Sequence, residues 1–154
     1  MKVLAIIDMQ KDFIDGALGT KEAISIVPKV AARLKKARED GETVVFTRDT
    51  HHADYLSTQE GRKLPVPHCI EETAGWQIDA ALPVLDAPVF DKPGFGSLAL
   101  IDYLKGLPEL ESVEYRPLHR YLRHYERDDD KGRAAGGSAF RPCGLLRRRD
   151  PGKP

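Results

Sequence analysis

Short apolar runs along the chain indicate buried β-strands. Residues 3–8 form an almost continuous apolar run, and residues 43–47 form a second one. This pattern is typical of strands that are covered on both faces, as in a parallel sheet. Residues 88–91 are predicted as a third strand. The hydrophobic pattern therefore predicts three buried strands separated by longer segments.

Two helices are predicted between and after these strands. Apolar residues recur at helical spacing after Ser25, the predicted N-cap, while Pro28 suits the first turn and Gly41 ends the helix. A second helix is predicted to be capped by Ser97 and to run to about Lys105, before a Gly and a Pro.

The order of these elements predicts an α/β fold. Strand, helix, strand, loop, strand and helix follow one another, and residues 53–75 are predicted as the loop because glycines and prolines punctuate them. We predict a parallel sheet flanked by helices, a Rossmann-like three-layer arrangement that is truncated after the third strand-helix unit. Ligands bind outside the carboxyl ends of such strands. Asp8, Asp49 and Lys92 follow the three strands.

Length and composition favour a single soluble domain. The 154 residues suit one domain, and 41% hydrophobic with 31% charged residues lies in the globular range. No apolar run approaches the ~20 residues of a membrane span, and the first residues lack the cleavage site of a signal peptide. The two cysteines, Cys69 and Cys143, do not make a disulfide framework. We therefore expect a cytoplasmic protein without a membrane partner.

A net charge of zero hides a division of the chain near residue 114. Residues 1–114 contain 13 Lys and Arg against 19 Asp and Glu, whereas residues 115–154 contain 11 against 5. Nine arginines fall in the second segment, which contains neither Val nor Ile. A basic tail of this kind usually suggests a nucleic-acid partner.

Two of the strand-end residues suit proton transfer. A partly desolvated carboxylate at Asp8 could act as a general base, or it could cap a turn or the next helix. Lys92, beside a carboxylate, could hold negative charge or depress the pKa of a neighbouring thiol, or it could be a surface lysine before a turn. Position alone leaves these alternatives open.

Asp49, His51 and His68 form a candidate metal-ligand set. An Asp and a His two residues apart on an extended segment point to the same side, and a third ligand from a loop would complete three protein positions. The alternative is a set of solvent-exposed loop histidines, since His52 shows that histidine is not rare in this segment. Cys69 could be a nucleophile near the metal or a small buried residue.

Together these segments resemble the isochorismatase-like cysteine hydrolases, and within them the nicotinamidase branch. Their combination, in this order and at these spacings, is specific, whereas any one segment alone is not. The resemblance covers residues 1 to about 114. The matching segments are IIDMQKDFIDGALGT at 6–20, FTRDTHHADYLSTQEG at 46–61, LPVPHCIEETAGWQI at 64–78 and DKPGFGS at 91–97.

The resemblance implies a role for each candidate residue. Asp8 matches the general base of the family, and Lys92 matches the lysine of its catalytic triad. Phe13 matches a residue that lines the pocket for the substrate ring. A divalent metal, usually zinc, holds the ring nitrogen of the substrate. Isochorismate hydrolases lack the metal set, so its presence favours the amidase branch. The matching ligands are Asp49, His51 and His68.

The third triad member of the family, a cysteine in a G-[LV]-C-T-D-I-C-V segment, is missing after Glu114. In the family its thiolate attacks the amide carbon, ammonia leaves, and water hydrolyses the thioester, while backbone N–H groups form an oxyanion hole. In a shifted reading frame, the codons of residues 115–124 permit I-G-L-C-T-D-I-C-V. Those of residues 145–153 permit C-C-A-G-V-T-P-E-S, another segment typical of the family.

A change of reading frame also accounts for the Arg-rich composition of the tail, so we reject the nucleic-acid partner. We predict an incomplete hydrolase domain at residues 1–114 and an out-of-frame, poorly ordered tail at residues 115–154. Cys143 lies in this tail and matches no cysteine of the family.

The sequence thus predicts a nicotinamidase-like amidohydrolase that cleaves a small aromatic or heteroaromatic amide and forms a homo-oligomer when intact. The chain as written is predicted to be inactive, because the nucleophile is lost. Two alternatives remain: an isochorismatase-type hydrolase, and a non-enzymatic, truncated remnant that binds a metal or a partner.

Overall fold

The computed structural model describes residues 1–94 and 96–117. A four-stranded sheet, in which every pairing is parallel, organises this part of the chain in the order β3-β2-β1-β4. The predicted α/β fold with a parallel sheet is confirmed. The strands are β1 (Lys2–Ile7), β2 (Thr43–Asp49), β3 (Val89–Lys92) and β4 (Ser112–Pro117).

Helices cover both faces of the sheet. Successive residues of a strand point to opposite faces, so Leu4 and Ile6 of β1 join one apolar cluster while Val3 and Ala5 join another. This explains the continuous apolar run in the sequence. The helices are α1 (Lys11–Ile14), α2 (Lys21–Glu39), α3 (Gln59–Lys63) and α4 (Leu98–Gly106); α2 packs in the first cluster and α4 in the second.

The long helix α2 begins earlier than the sequence predicts. Its N-cap is Thr20, whose hydroxyl accepts a hydrogen bond from the backbone N–H of Ala23 at 3.0 Å. The prediction of Ser25 as the cap is wrong, and Pro28 lies inside the helix rather than in its first turn. At this position proline removes the backbone hydrogen bond to the carbonyl of Ile24, and its ring crowds that carbonyl. Ile24 is exposed, so water can hydrogen-bond to the carbonyl that lost its helical partner.

Replacing Thr20 with alanine is expected to lower the free energy of unfolding by about 1 kcal/mol, because the first turn of α2 loses its side-chain cap. Ser25→Ala is the matched control, since the Ser25 hydroxyl only donates to the carbonyl of Glu22 on the exposed side of the helix. It should change stability by less than about 0.5 kcal/mol. Urea denaturation measures both variants. A larger loss for Ser25→Ala than for Thr20→Ala would contradict this position of the helix start.

The segment at residues 53–75 is not simply a loop. It contains a 3₁₀ turn at Tyr55–Ser57 and the short helix α3, whose first turn is capped by the hydroxyl of Thr58. The side chain of Tyr55 is buried, and a Cβ at Gly61 would collide with its backbone. Helix α3 has no apolar face, because local capping rather than hydrophobic periodicity forms it. The sequence pattern therefore missed it.

The helix predicted after Ser97 is confirmed, since the Ser97 hydroxyl accepts from Leu100 N–H at the start of α4. Strand β4 follows this helix, so the prediction that the fold is truncated after the third strand-helix unit missed one strand. It crosses the boundary predicted at residue 114 and pairs with β1 as far as Ile7 opposite Pro117. Backbone pairing does not require a particular side chain, so this pairing is compatible with the predicted change of frame. Residues 118–154 lie outside the described residues, and the poorly ordered tail stays a prediction.

No helix within the described residues is long and apolar enough to cross a membrane.

Candidate active site and metal centre

The carboxyl ends of three neighbouring strands bring together Asp8, Asp49 and Lys92. Asp49 and Lys92 are paired residues at the ends of β2 and β3. Lys92 Nζ lies 2.9 Å from Asp8 Oδ2 and 3.4 Å from Asp49 Oδ1. The structure therefore places the three strand-end residues at one edge of the sheet, as the topology predicts.

Lys92 is a buried cation rather than a surface lysine. Only 5% of the residue is exposed, so the surface alternative is wrong. Its ammonium group has three donors, and it has three acceptors: the two carboxylates and the carbonyl of Gly94 at 3.1 Å. Burial of a charge is tolerated when such partners replace the lost water.

The backbone of Asp8 turns its carboxylate towards Lys92. Asp8 has a φ of 54°, in the left-handed region that Asp tolerates better than most residues. Its N–H still donates to the carbonyl of Thr47 at 3.2 Å, and the hydroxyl of Thr47 donates to Asp8 Oδ1 at 2.7 Å. Each carboxylate oxygen of Asp8 thus has one partner, Thr47 on one side and Lys92 on the other.

Replacing Lys92 with methionine is expected to lower the free energy of unfolding by about 3–5 kcal/mol, because it leaves the buried carboxylate of Asp49 and the half-buried one of Asp8 without their cation. The measurement is urea denaturation in the presence of a chelator, which excludes compensation by bound metal. Lys105→Met is the control, since Lys105 is exposed and lies 3.8 Å from Asp102. Equal stability of Lys92→Met and the parent chain would show that the buried pair contributes nothing.

Four side chains converge beside this pair in an arrangement that can hold a metal ion. The Nε2 atom of His51 lies 3.0 Å from Asp49 Oδ2 and 3.9 Å from Glu60 Oε1, and His68 Nε2 lies 3.8 Å from Asp49 Oδ2. Ligands at about 2.0–2.2 Å from a tetrahedral ion lie roughly 3.3–3.6 Å apart. The four ligand atoms all lie within 4.8 Å of one another, so small side-chain movements bring them to this geometry.

The two histidines have the hydrogen bonding expected of metal ligands. His51 Nε2 is buried and makes no hydrogen bond, although a carboxylate oxygen lies 3.0 Å away. His68 Nδ1 lies 2.8 Å from the carbonyl of Val66, which can only accept, so this nitrogen carries the proton. The lone pair of a neutral His68 is then on Nε2, which faces the cluster. The residues present therefore fit a divalent cation.

Both histidines of the predicted metal set are buried, so the alternative of solvent-exposed loop histidines is wrong for them. It holds for His52, which is exposed and pairs with Glu71 at 3.2 Å. The sequence reading missed Glu60, because residues around it were predicted as a loop. The signal that could have found it is the helix cap at Thr58, which fixes a short helix and places Glu60 in its first turn.

Aromatic rings line one side of the ligand cluster. The ring centroid of Tyr55 lies 4.7 Å from that of His51 and 5.0 Å from that of His68. Phe13, the predicted ring-pocket residue, lies 5.4 Å from the ring of His68. The structure thus brings Phe13 close to the candidate metal ligands, and its role in lining a ring pocket stays a prediction.

Cys69 is the small buried residue of the two predicted alternatives. It is fully buried and has a φ of 48°, and its N–H donates to Asp12 Oδ2 at 2.8 Å. Burial raises the pKa of its thiol well above the usual value, and the nearby carboxylates of Asp49 and Asp12 raise it further. A buried, protonated thiol does not suit a nucleophile, since the thiolate is the reactive form.

Comparison with known proteins identifies the family of this chain. A family model described as the isochorismatase domain matches residues 2–108. The nicotinamidase of Saccharomyces cerevisiae is 24% identical over 157 aligned positions, covering 84% of this chain and 72% of the yeast protein.

Two solved structures share the fold. The pyrazinamidase of Pyrococcus horikoshii, solved in complex with zinc, is 31% identical with a TM-score of 0.62, over 75% of this chain and 69% of that one. The pyrazinamidase/nicotinamidase of Streptococcus mutans is 25% identical with a TM-score of 0.68, over 83% of this chain and 78% of that one. The family model alone covers well over half of the sequence. The chain therefore belongs to the isochorismatase family.

Proposed function

We propose that the chain derives from a nicotinamidase-like amidohydrolase, which hydrolyses a small aromatic or heteroaromatic amide to the acid and ammonia. The observation that carries this proposal is the shared use of Asp49. One of its carboxylate oxygens faces the Asp8–Lys92 pair and the other faces the metal-ligand cluster. The proposed proton-transfer pair and the proposed metal centre thus share one carboxylate, at one edge of the sheet.

Asp8 is proposed as the general base, which takes the proton of the attacking nucleophile. Its two oxygens are held by Thr47 and Lys92, so the carboxylate has a fixed direction before any substrate binds. Lys92 is proposed to hold the Asp8 carboxylate in place and to stabilise negative charge that develops nearby. Preorganised charges of this kind stabilise a transition state without reorganisation.

The metal ion, for which zinc is proposed, would be held by Asp49, His51, His68 and Glu60. When bound, it would supply Lewis acidity towards a ring nitrogen of the substrate. Phe13 would contact the ring itself, and its position beside His68 places an apolar surface next to the ligand cluster. Two neighbours that carry pyrazinamidase in their names, one of them solved with zinc, support this class of substrate and this metal.

The chain of 154 residues is proposed to lack the nucleophile. The family uses a cysteine thiolate. The segment that carries this cysteine is absent after Glu114, and the codons of the residues found there permit the segment only in another reading frame. Cys69 lies next to the proposed ligand His68 and does not suit this role, because its thiol is fully buried and burial raises its pKa. Cys143 lies outside the described residues and matches no cysteine of the family.

A second candidate function is a non-enzymatic remnant that binds metal. The complete ligand cluster, in a chain whose nucleophile is missing, favours this possibility. The isochorismatase-type hydrolase is less favoured, because its relatives lack the metal set that Asp49, His51 and His68 form here. Metal analysis of the purified chain separates the isochorismatase-type hydrolase from the amidase, because stoichiometric bound metal excludes the isochorismatase type. The homo-oligomer and the cytoplasmic location stay predictions.

The test of the enzymatic proposal is the release of ammonia from nicotinamide, compared between this chain and one whose reading frame is restored at about Glu114.

A further inference from the structure

We infer that Gln10 is a positioning residue for the metal centre. Its side-chain amide replaces a missing strand partner of Asp49 and so sets the place of the Asp49 carboxylate. The inference rests on the proposed function for the use of that carboxylate.

Strand β1 ends two residues too early to pair with Asp49 at the end of β2. The last paired residues are Ile7 and Thr47, after which Asp8 takes its left-handed conformation. On the other side, β3 continues to the end, and Lys92 pairs with Asp49. Asp49 therefore has a strand neighbour on one side only, and its own N–H and C=O need other partners.

The amide of Gln10 supplies both partners. Its Oε1 accepts the N–H of Asp49 at 2.6 Å, and its Nε2 donates to the carbonyl of Asp49 at 2.8 Å. A peptide group of a neighbouring strand would offer the same donor and acceptor. Gln10 is fully buried, so no water competes for these bonds.

The amide is itself fixed in place. Its second N–H donates to the carbonyl of Trp76 at 2.8 Å, so both amide protons are used. The backbone of Gln10 is bridged to Ile78, and the next residue, Lys11, donates to the carbonyl of Gln77 at 2.9 Å. The indole N–H of Trp76 donates to the hydroxyl of Thr50 at 2.9 Å, which ties the same segment to the end of β2.

A shift of Asp49 would disturb two interactions at once. Its Oδ2 faces His51 and His68, and its Oδ1 faces Lys92, so rotation or translation of this residue changes both the ligand spacing and the buried ion pair. Groups that orient metal ligands typically change metal affinity 10–100-fold when they are replaced. Gln10 acts on Asp49 through the backbone rather than through the carboxylate, and this keeps both carboxylate oxygens available.

The experiment replaces Gln10 in the full chain with methionine, which has a similar shape but no amide. Leu34→Ala is the control, because Leu34 lies in α2, in the same apolar cluster as β1, and its truncation destabilises the fold without touching Asp49. Two readouts are used: titration with Co²⁺, whose visible spectrum reports both affinity and coordination geometry, and hydrogen exchange of the Asp49 amide against that of Val45 in the middle of β2.

Gln10→Met is expected to bind Co²⁺ about 10–100-fold more weakly, with an altered spectrum, and to lose the protection of the Asp49 amide while Val45 stays protected. Leu34→Ala should retain the spectrum and the relative protection of Asp49. An unchanged spectrum and affinity in Gln10→Met, or an equal change in Leu34→Ala, overturns the inference.

If the parent chain binds no Co²⁺, the proposed metal centre is wrong, and hydrogen exchange of the Asp49 amide alone tests the role of Gln10. Retained protection of this amide in Gln10→Met overturns the inference. Selective loss of its protection supports the positioning of Asp49 by Gln10. If Gln10→Met does not fold, Gln10→Glu takes its place, because it keeps the size and the acceptor for the Asp49 N–H. It is judged by the same two readouts.

Discussion

Restoring the reading frame at about Glu114 is expected to convert an inactive chain into an amidase that releases ammonia from nicotinamide. The covalent route needs a thiolate beside the bound carbonyl, and the shifted frame restores both this cysteine and the turn whose N–H groups form the oxyanion hole. Loss of the nucleophile reduces kcat by on the order of 10⁶-fold in the serine-protease example. We expect the 154-residue chain to be slower than the restored chain by at least this order.

The control is Asp8→Asn in the restored chain. Asparagine keeps the shape of the side chain but cannot accept the proton, so activity should fall sharply while the chain remains folded. The two chains and the variant are compared in one assay for ammonia. If the 154-residue chain equals the restored one, the loss of the nucleophile does not explain its function. If Asp8→Asn remains fully active, the role of Asp8 as base is wrong.

The fold was predictable because its strongest signals are hydrophobic. The runs at residues 3–8 and 43–47 are apolar on both faces, and the structure covers both faces of β1 with different clusters. The strand ends then place Asp8, Asp49 and Lys92 at one edge without any knowledge of side-chain contacts. Parallel topology alone was enough for this step.

Features that depend on local capping were not predictable from periodicity. Ser25 and Thr20 are both good N-caps by residue type, and only the hydrogen bond to Ala23 N–H distinguishes them. Helix α3 consists entirely of polar residues and glycine, so nothing in its pattern separates it from a loop. As a result Glu60 was missed as a candidate ligand, although the residues on either side of its segment were recognised.

Gln10 shows a different limit of sequence reading. A glutamine after an apolar strand is an ordinary surface residue by type, and its complete burial depends on β1 ending at Ile7 while β2 continues to Asp49. The need for a side-chain partner arises only from the unequal lengths of two neighbouring strands. That difference cannot be read from either strand alone.

Replacing His51 with alanine is expected to weaken zinc binding by more than about 100-fold, because a ligand is lost outright rather than misplaced. His52→Ala is the matched control, because His52 is the adjacent histidine but is exposed and pairs with Glu71 outside the cluster.

Zinc affinity is measured by competition with a chelator, and thermal unfolding is measured with and without zinc. At zinc concentrations near 100 times the dissociation constant, the parent chain and His52→Ala should gain about 2.7 kcal/mol of stability. His51→Ala should gain much less. Equal zinc affinity in His51→Ala and His52→Ala would show that the buried, unbonded Nε2 of His51 does not bind the metal, and the proposed ligand set would then be wrong.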